Sequence, residues 1–493
     1  MRRRRRDVVR GATLAVVVGL AGAVVAVPAV ADEPRPGLAW GACPEDVVTK
    51  VAVLQCATVP VPLDYREPGG EQIEIMVSRL ASVKPDKRRG VLMLNPGGPG
   101  GSGLSFADDL AWFGLPASVL DSYDIIGMDT RGIGHSAPIS CGFTAEQGYP
   151  GNIPPYAVDE QAVADQAEIA KGVAEQCAAH DADGRLRHVS TANMARDLDR
   201  IRAALGEEKT SFLGYSYGTA LGAAYASMFP ERSDRIVLDS NIGDTHLDRD
   251  GLRRYALGME ETFPDFAKWA AARHETYGLG RTPEQVRETY VTLAERLDRA
   301  PENGIDGRLF RLVTFGGLFG RTKYGLTAQL WQSVRDGDGA AAEKLAAVAT
   351  PSPADNAWSV FLAVTCNDVD WPADVRTYQR AVAEDRERYP LYGAASANII
   401  PCAFWPHEPA EPPVAVDDEG PANVLVLQNR RDPVTPHRGG ALLDEKFGDR
   451  SRLVSVEGSG HGVYVIGDNA CALNTTTTFL VDGTLPKRDI SCR

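Results

Sequence analysis

The chain has 493 residues, a formal charge of −14, and 44% hydrophobic against 24% charged residues. That balance is ordinary for a globular protein and excludes disordered and fibrous classes, while the length allows one large domain with an insertion, or two domains. No cluster of Lys and Arg survives past the first residues, so an acidic chain like this is not built to hold nucleic acid.

The amino end comes first. Met1 is followed by Arg2 to Arg6, then an apolar stretch from about Ala12 to Val27, then the small-x-small site Ala29-Val30-Ala31. This is the order of a signal peptide, removed after Ala31. The stretch carries Gly and Pro and falls short of the ~20 residues a spanning helix needs. Its loss takes away six arginines and Asp7 and leaves a formal charge of −19. A secreted protein without stable membrane association is expected. All eight cysteines lie beyond the cleavage site, and an even count in an oxidising compartment reads as disulfides, with about a hundred pairings open. Pairing of sequence neighbours is one of them: Cys43–Cys56, Cys141–Cys177, Cys366–Cys402 and Cys471–Cys492. No C-x-x-C or H-x-x-x-H spacing occurs, so no metal site is expected.

Short β-rich runs then alternate with helical patterns, which predicts a mostly parallel sheet. The strands are predicted at Ile73–Ser78, Val91–Leu94, Tyr123–Met128, Ser211–Leu213, Ile236–Asp239, Val424–Gln428 and Leu453–Val456. Ala192–Leu205 places Met194, Leu198, Ile201 and Leu205 at helical spacing, and Thr219–Phe229 reads as a small-residue helix packed tightly on a sheet. From about Asn241 to Pro413 the pattern is mainly helical, with Tyr255–Arg273, Pro283–Arg299, Ala340–Val348 and Ala373–Arg386 as examples. That block holds five of the seven tryptophans: Trp269, Trp331, Trp358, Trp371 and Trp405. They read foremost as core of a helical subdomain, although some could line a cleft. A Pro-rich run, Pro406–Pro413, leads back to the strand at Val424. The organisation is therefore a signal peptide (1–31), a first core part (32–240), a helical cap (241–413) and a second core part (414–493).

The strongest chemical signal is Gly214-Tyr215-Ser216-Tyr217-Gly218. G-x-S-x-G between a strand and a helix is the nucleophile elbow of an α/β hydrolase, and it makes Ser216 the candidate nucleophile. Asn95–Gly103 (NPGGPGGSG) follows the strand at Val91, where that fold supplies half of an oxyanion hole. The candidate donors are the N–H groups of Gly98 and Tyr217, with Gly97 in reserve. A phosphate loop would want a lysine or a Rossmann spacing, and neither is present. Serine needs a base and the base an orienting acid, in the chain order Ser, Asp, His. Asp432 follows the strand at Val424, and His461 follows the strand at Leu453. His437 and Asp239 are the rivals. Asp129–Ser136 (DTRGIGHS) reads as scaffolding, with Asp129 and Arg131 bracing loops; His135 precedes the serine and is not expected to be the base.

With these motifs together, and with DPVTP at Asp432–Pro436, GYSYGT at Gly214–Thr219 and GSGHG at Gly458–Gly462, the chain resembles the secreted tripeptidyl aminopeptidases of the α/β-hydrolase superfamily. These are relatives of the prolyl aminopeptidases, whose oxyanion loop usually reads HGGPG; here Pro96 stands in place of that histidine, which points towards the tripeptidyl branch. The resemblance implies an α/β-hydrolase fold with a helical cap inserted after the sixth core strand, and a Ser216–Asp432–His461 triad needing no metal or organic cofactor. It also implies peptide substrates whose free amino group is held under the cap. A desolvated amine needs an oxygen partner; Glu260, Glu261, Asp265, Asp368 and Asp370 are available, and the sequence does not choose among them. A secreted carboxylesterase or lipase with the same triad is one alternative, and a prolyl aminopeptidase is another.

Overall fold

The computed structural model describes residues 37–147, 149, 151, 153–302, 304–339 and 355–493. The segment 1–31 and the helix expected at Ala340–Val348 lie outside the described residues. Ten strands form one sheet: β1 (Gly41–Ala42), β2 (Gln55–Pro62), β3 (Gln72–Leu80), β4 (Gly90–Asn95), β5 (Tyr123–Met128), β6 (Thr210–Tyr215), β7 (Ser233–Asp239), β8 (Val424–Arg431), β9 (Ser451–Ser459) and β10 (Ile490–Cys492). Their spatial order is β1-β2-β3-β5-β4-β6-β7-β8-β9-β10. The pairings from β5 through β4 and β6 to β10 are parallel, and the β1–β2, β2–β3 and β3–β5 pairings are antiparallel. All seven expected strands are present, each within a few residues of its expected ends. Leaving aside the two-residue β1, β7 is the sixth strand, and the chain turns helical after it.

The central strands are apolar on both faces because helices cover both. Val91 and Met93 of β4 pack into one core while Leu92 and Leu94 pack into the other; Ile236 and Leu238 of β7 alternate with Val237 in the same way. A one-residue slip would exchange the two sets, so register is tightly specified. The helix Tyr217–Met228 packs tightly on the sheet through small residues of its own. A Cβ on Gly222 would come within 2.6 Å of Leu238 and Phe212. That closeness fixes where the helix begins, and with it the residue before it, Ser216.

Between Asp239 and Val424 the described residues hold helices and no strand of the sheet. Arg249–Ala271, Pro283–Arg299, Gly307–Gly317 and Tyr324–Asp336 enclose an aromatic core. Trp331 is fully buried at its centre, with ring centroids of Phe266, Tyr290 and Phe310 at 5.1, 5.4 and 5.6 Å. Its indole N–H donates to Thr314 Oγ1 at 2.9 Å, as a buried indole requires. The other four tryptophans of the block are half-buried at the margin of the core. A long helix, Glu160–His180, precedes β6 in the chain yet packs on this helical layer: Val163 and Ala167 share a cluster with Tyr378, Ala381 and Val382. The cysteines pair as sequence neighbours, Cys43–Cys56, Cys141–Cys177, Cys366–Cys402 and Cys471–Cys492. No helix among the described residues is long and apolar enough to cross a membrane.

Candidate active site

Ser216 stands between β6 and the helix that starts at Tyr217, with φ 56° and ψ −123°. A non-glycine residue in that region costs of the order of 1–3 kcal/mol, and such strain persists only where the surroundings fix it. Here they do. Ser216 N–H donates to Asp239 O at 3.0 Å, and its carbonyl accepts from Thr219 N–H and Oγ1 at 2.9 and 2.5 Å. The flanking glycines are obligatory, since a Cβ on Gly214 would sit 2.3 Å from Gly218 O and one on Gly218 2.8 Å from Asn95 O. The Ser216 side chain is half-buried, and its hydroxyl makes no hydrogen bond among the described residues.

The glycine loop after β4 lies directly on this turn. A Cβ on Gly97 would meet Tyr215 O at 2.5 Å and Ser216 Cβ at 2.9 Å. Gly97 N–H is already donated to Asn95 Oδ1 at 2.9 Å. Among the described residues the N–H groups of Gly98 and Tyr217 have no such acceptor, so Gly97 drops behind Gly98 as a donor. The Tyr217 ring is turned into the core: its hydroxyl lies 2.6 Å from Thr191 Oγ1, which donates to Asp368 Oδ2 at 2.5 Å. Burial pushes the Asp368 carboxyl up to about 7, against the two hydrogen bonds from Thr191.

Asp432 and His461 meet at the ends of β8 and β9. His461 Nδ1 donates to Asp432 Oδ2 at 2.9 Å, with Oδ1 at 3.2 Å. The carboxylate is fully buried. It also accepts Val434 N–H and Thr435 N–H, each at 2.9 Å, and Thr435 Oγ1–H at 2.8 Å. Thr435 Oγ1 lies 3.2 Å from His461 Nδ1 as well. Burial pulls the imidazole pKa down, but the charge and hydrogen bond of Asp432, helped by Asp239, outweigh it, and the pKa sits above the ordinary histidine value. His461 peptide N–H donates to Phe319 O at 2.8 Å, and the Phe319 ring meets the imidazole edge to face at 5.5 Å.

The rivals are engaged elsewhere. His437 Nε2 lies 2.7 Å from Ser455 Oγ at the start of the helix His437–Phe447. Asp239 accepts the peptide N–H groups of Val463 and Tyr464 and makes no hydrogen bond to the imidazole. Arg131 is buried in a two-pronged pair with Asp197, at 2.7 Å for each prong, and Asp129 accepts Ser102 Oγ–H and His135 N–H at 2.5 and 2.9 Å. His135 itself pairs with Asp46 at 3.0 Å. Of the acidic residues offered for a substrate amine, Glu260 pairs with Arg287 at 2.9 Å, Asp265 with Arg431 at 2.7 Å, and Asp368 is held by Thr191. Glu261 and Asp370 have no hydrogen bond or ion pair among the described residues. Sequence reasoning missed Thr435, Phe319 and Ser240. Thr435 had a signal, because D-x-x-T after a strand lets the aspartate bond the threonine backbone; Phe319 had none.

A mostly parallel sheet covered on both faces, with a serine elbow and a buried carboxylate–imidazole pair at its carboxyl edge, defines a serine hydrolase of the α/β-hydrolase fold. A TAP-like protein family model matches residues 389–492. Tripeptidyl aminopeptidase of Streptomyces coelicolor is 34% identical over 487 residues, which cover 94% of this chain and 87% of that relative. Serine protease Hip1 of Mycobacterium tuberculosis is 31% identical over 463 residues (89% and 87%), and carboxylesterase B of the same species is 31% identical over 475 residues (93% and 90%). The chain belongs to the tripeptidyl aminopeptidase family of serine peptidases.

Proposed function

We propose that this chain is a secreted exopeptidase that releases short peptides, tripeptides foremost, from free amino ends through a Ser216–His461–Asp432 acyl-enzyme mechanism. The observation that carries it is the Asp432–His461 pair at the strand ends beside the Ser216 elbow, in a chain of this family. His461 takes the Ser216 proton as the alkoxide attacks the scissile carbonyl, and it returns that proton to the leaving amine. Asp432 keeps Nδ1 protonated, so Nε2 is the basic nitrogen, and it offsets the imidazolium charge. Gly98 and Tyr217 N–H groups receive the oxyanion, each worth about 3 kcal/mol of barrier if oxyanion holes elsewhere are a guide. Water activated by His461 then releases the acyl peptide. The serine–histidine contact closes on substrate, as it does in many hydrolases.

The helical stretch 241–413 would form the roof of the cleft, where a free amine is bound and chain length is read. The four disulfides support export, and removal of residues 1–31 is part of this reading. Carboxylesterase B among the relatives favours a second one, an esterase with the same machinery. Release of p-nitroaniline or p-nitrophenol from a matched set separates the two: a free-amine tripeptide anilide, its N-acetylated twin, a single-residue anilide and an ester, with Ser216→Ala alongside. Fast turnover of the free tripeptide alone is the expected result. Ester turnover with every amide untouched would leave an esterase.

A further inference from the structure

β7 ends on a buried carboxylate that the mechanism above does not use. Asp239 and Ser240 are both fully buried, and Ser240 takes a φ of 62°. Together they accept three consecutive peptide N–H groups of the loop that carries His461. Gly462 N–H donates to Ser240 Oγ at 2.9 Å, Val463 N–H to Asp239 Oδ1 at 3.0 Å, and Tyr464 N–H to Asp239 Oδ2 at 2.6 Å. Ser240 Oγ–H in turn donates to Asp239 Oδ1 at 2.9 Å. The other face of Asp239 reaches the serine: its carbonyl accepts Ser216 N–H at 3.0 Å. A second tie runs parallel, from Tyr215 O–H to Tyr464 O at 2.7 Å. Asn429 of β8 ties the same loop through Gly460 O and Gly462 O at 2.9 and 3.1 Å.

We infer that Asp239, with Ser240, is a positioning residue that clamps the His461 loop to the Ser216 elbow and, when ionised, sets a second negative charge near the imidazole. The inference rests on the triad reading above. A serine and a base on separate strands cooperate only if their loops keep one relative placement, and a misplacement of about 1 Å can cost about a hundredfold in rate. Asp432 orients the imidazole ring about its own axis but does not tie it to Ser216. Asp239 does, because one residue bonds both loops. The ionisable groups facing it are Tyr215 of β6 and, from the loop, His461; no Lys or Arg pairs with it among the described residues. Burial drives its carboxyl up to about 7, against the hydrogen bonds from Tyr464, Ser240 and Val463.

Asp239→Asn and Ser240→Ala test this with a free-amine tripeptide anilide, reading kcat, KM and the acid limb of kcat/KM. Asparagine keeps the shape but loses the charge and turns an N–H₂ towards one of the loop donors. It should lower kcat about a hundredfold, leave KM within about twofold, and move the acid limb to lower pH, since an imidazole that loses a nearby anion is easier to deprotonate. Ser240→Ala keeps the charge and should lower kcat about tenfold without moving the limb. A folded Asp239→Asn with kcat and acid limb unchanged would overturn the clamp. Should Asp239→Asn not fold, Ser240→Ala decides: an unchanged kcat overturns the proposal, and a tenfold loss supports it. A fluorophosphonate that fails to label Ser216 in the unmodified enzyme withdraws the triad reading itself, a result distinct from either variant's outcome.

Discussion

One fully buried aspartate ends β7 and another follows directly on its neighbour β8, both close to His461, yet the two loops treat their carboxylates differently. After β8 the chain curls back, so that Asp432 accepts two of its own following N–H groups and a threonine hydroxyl, and the remaining lone pairs point at the imidazole. After β7 the chain runs on with Ser240 in the left-handed region, and the Asp239 carboxylate faces the peptide groups of another loop. Residue type and burial are equal at the two sites. What separates the two is which donors the local backbone presents, a property of turn geometry.

Substitutions can break or sharpen that contrast. Asp432→Asn removes the acceptor that fixes the imidazole tautomer; kcat for an anilide substrate should fall about 10⁴-fold, far beyond what asparagine does at Asp239. Equal losses at both positions in steady-state assays would erase the distinction. The pH profile is the next probe. His461 must be neutral to act as base and its pKa lies above the ordinary value, so kcat/KM should rise with pH through a midpoint above that of a free histidine. A midpoint at or below it would mean Asp432 does not hold the charged form. Thr435→Ala takes one charged hydrogen bond from Asp432 and should lower kcat about tenfold, with the fold intact by circular dichroism.

The smallest effect concerns a third buried acid, Asp368, which anchors Thr191. Its folded value, about 7, lies above its unfolded value of 3.8. Its contribution to stability is therefore fully present below the unfolded value and is lost as pH rises through 7. Asp368→Asn cannot lose it, so the fall in Tm between pH 5 and pH 8 should shrink in that variant. A fall as large as in the unmodified chain would mean that other groups carry it.

Much of this was legible from residues alone. The parallel strands announced themselves because burial on both faces makes them continuous apolar runs, and the serine elbow because its backbone admits only glycine at two positions. β2 escaped because Pro60 and Pro62 argue against a strand, although at this antiparallel edge of the sheet they are accommodated. β10 is three residues long, fastened at its end by Cys492–Cys471. The helix Glu160–His180 was hidden by its small and polar composition: its buried stripe is largely alanine and valine. The Asp239 anchor was not legible at all, since its partners are backbone groups more than two hundred residues away in the chain.

The carbonyl of Phe319 has a consequence for how a peptide gets in. It is the acceptor for the His461 peptide N–H, and at the glycine loop the Gly100 backbone is packed so closely on Ala357 that a Cβ would stand 2.3 Å from its carbonyl oxygen. The helical layer thus rests on the loops of the proposed site at two points, one beside His461 and one beside the glycine loop. A hinged door over this site could not swing without loosening the histidine it uncovers. In the proposed reading the helical layer is then a fixed roof, and a peptide reaches Ser216 without its moving.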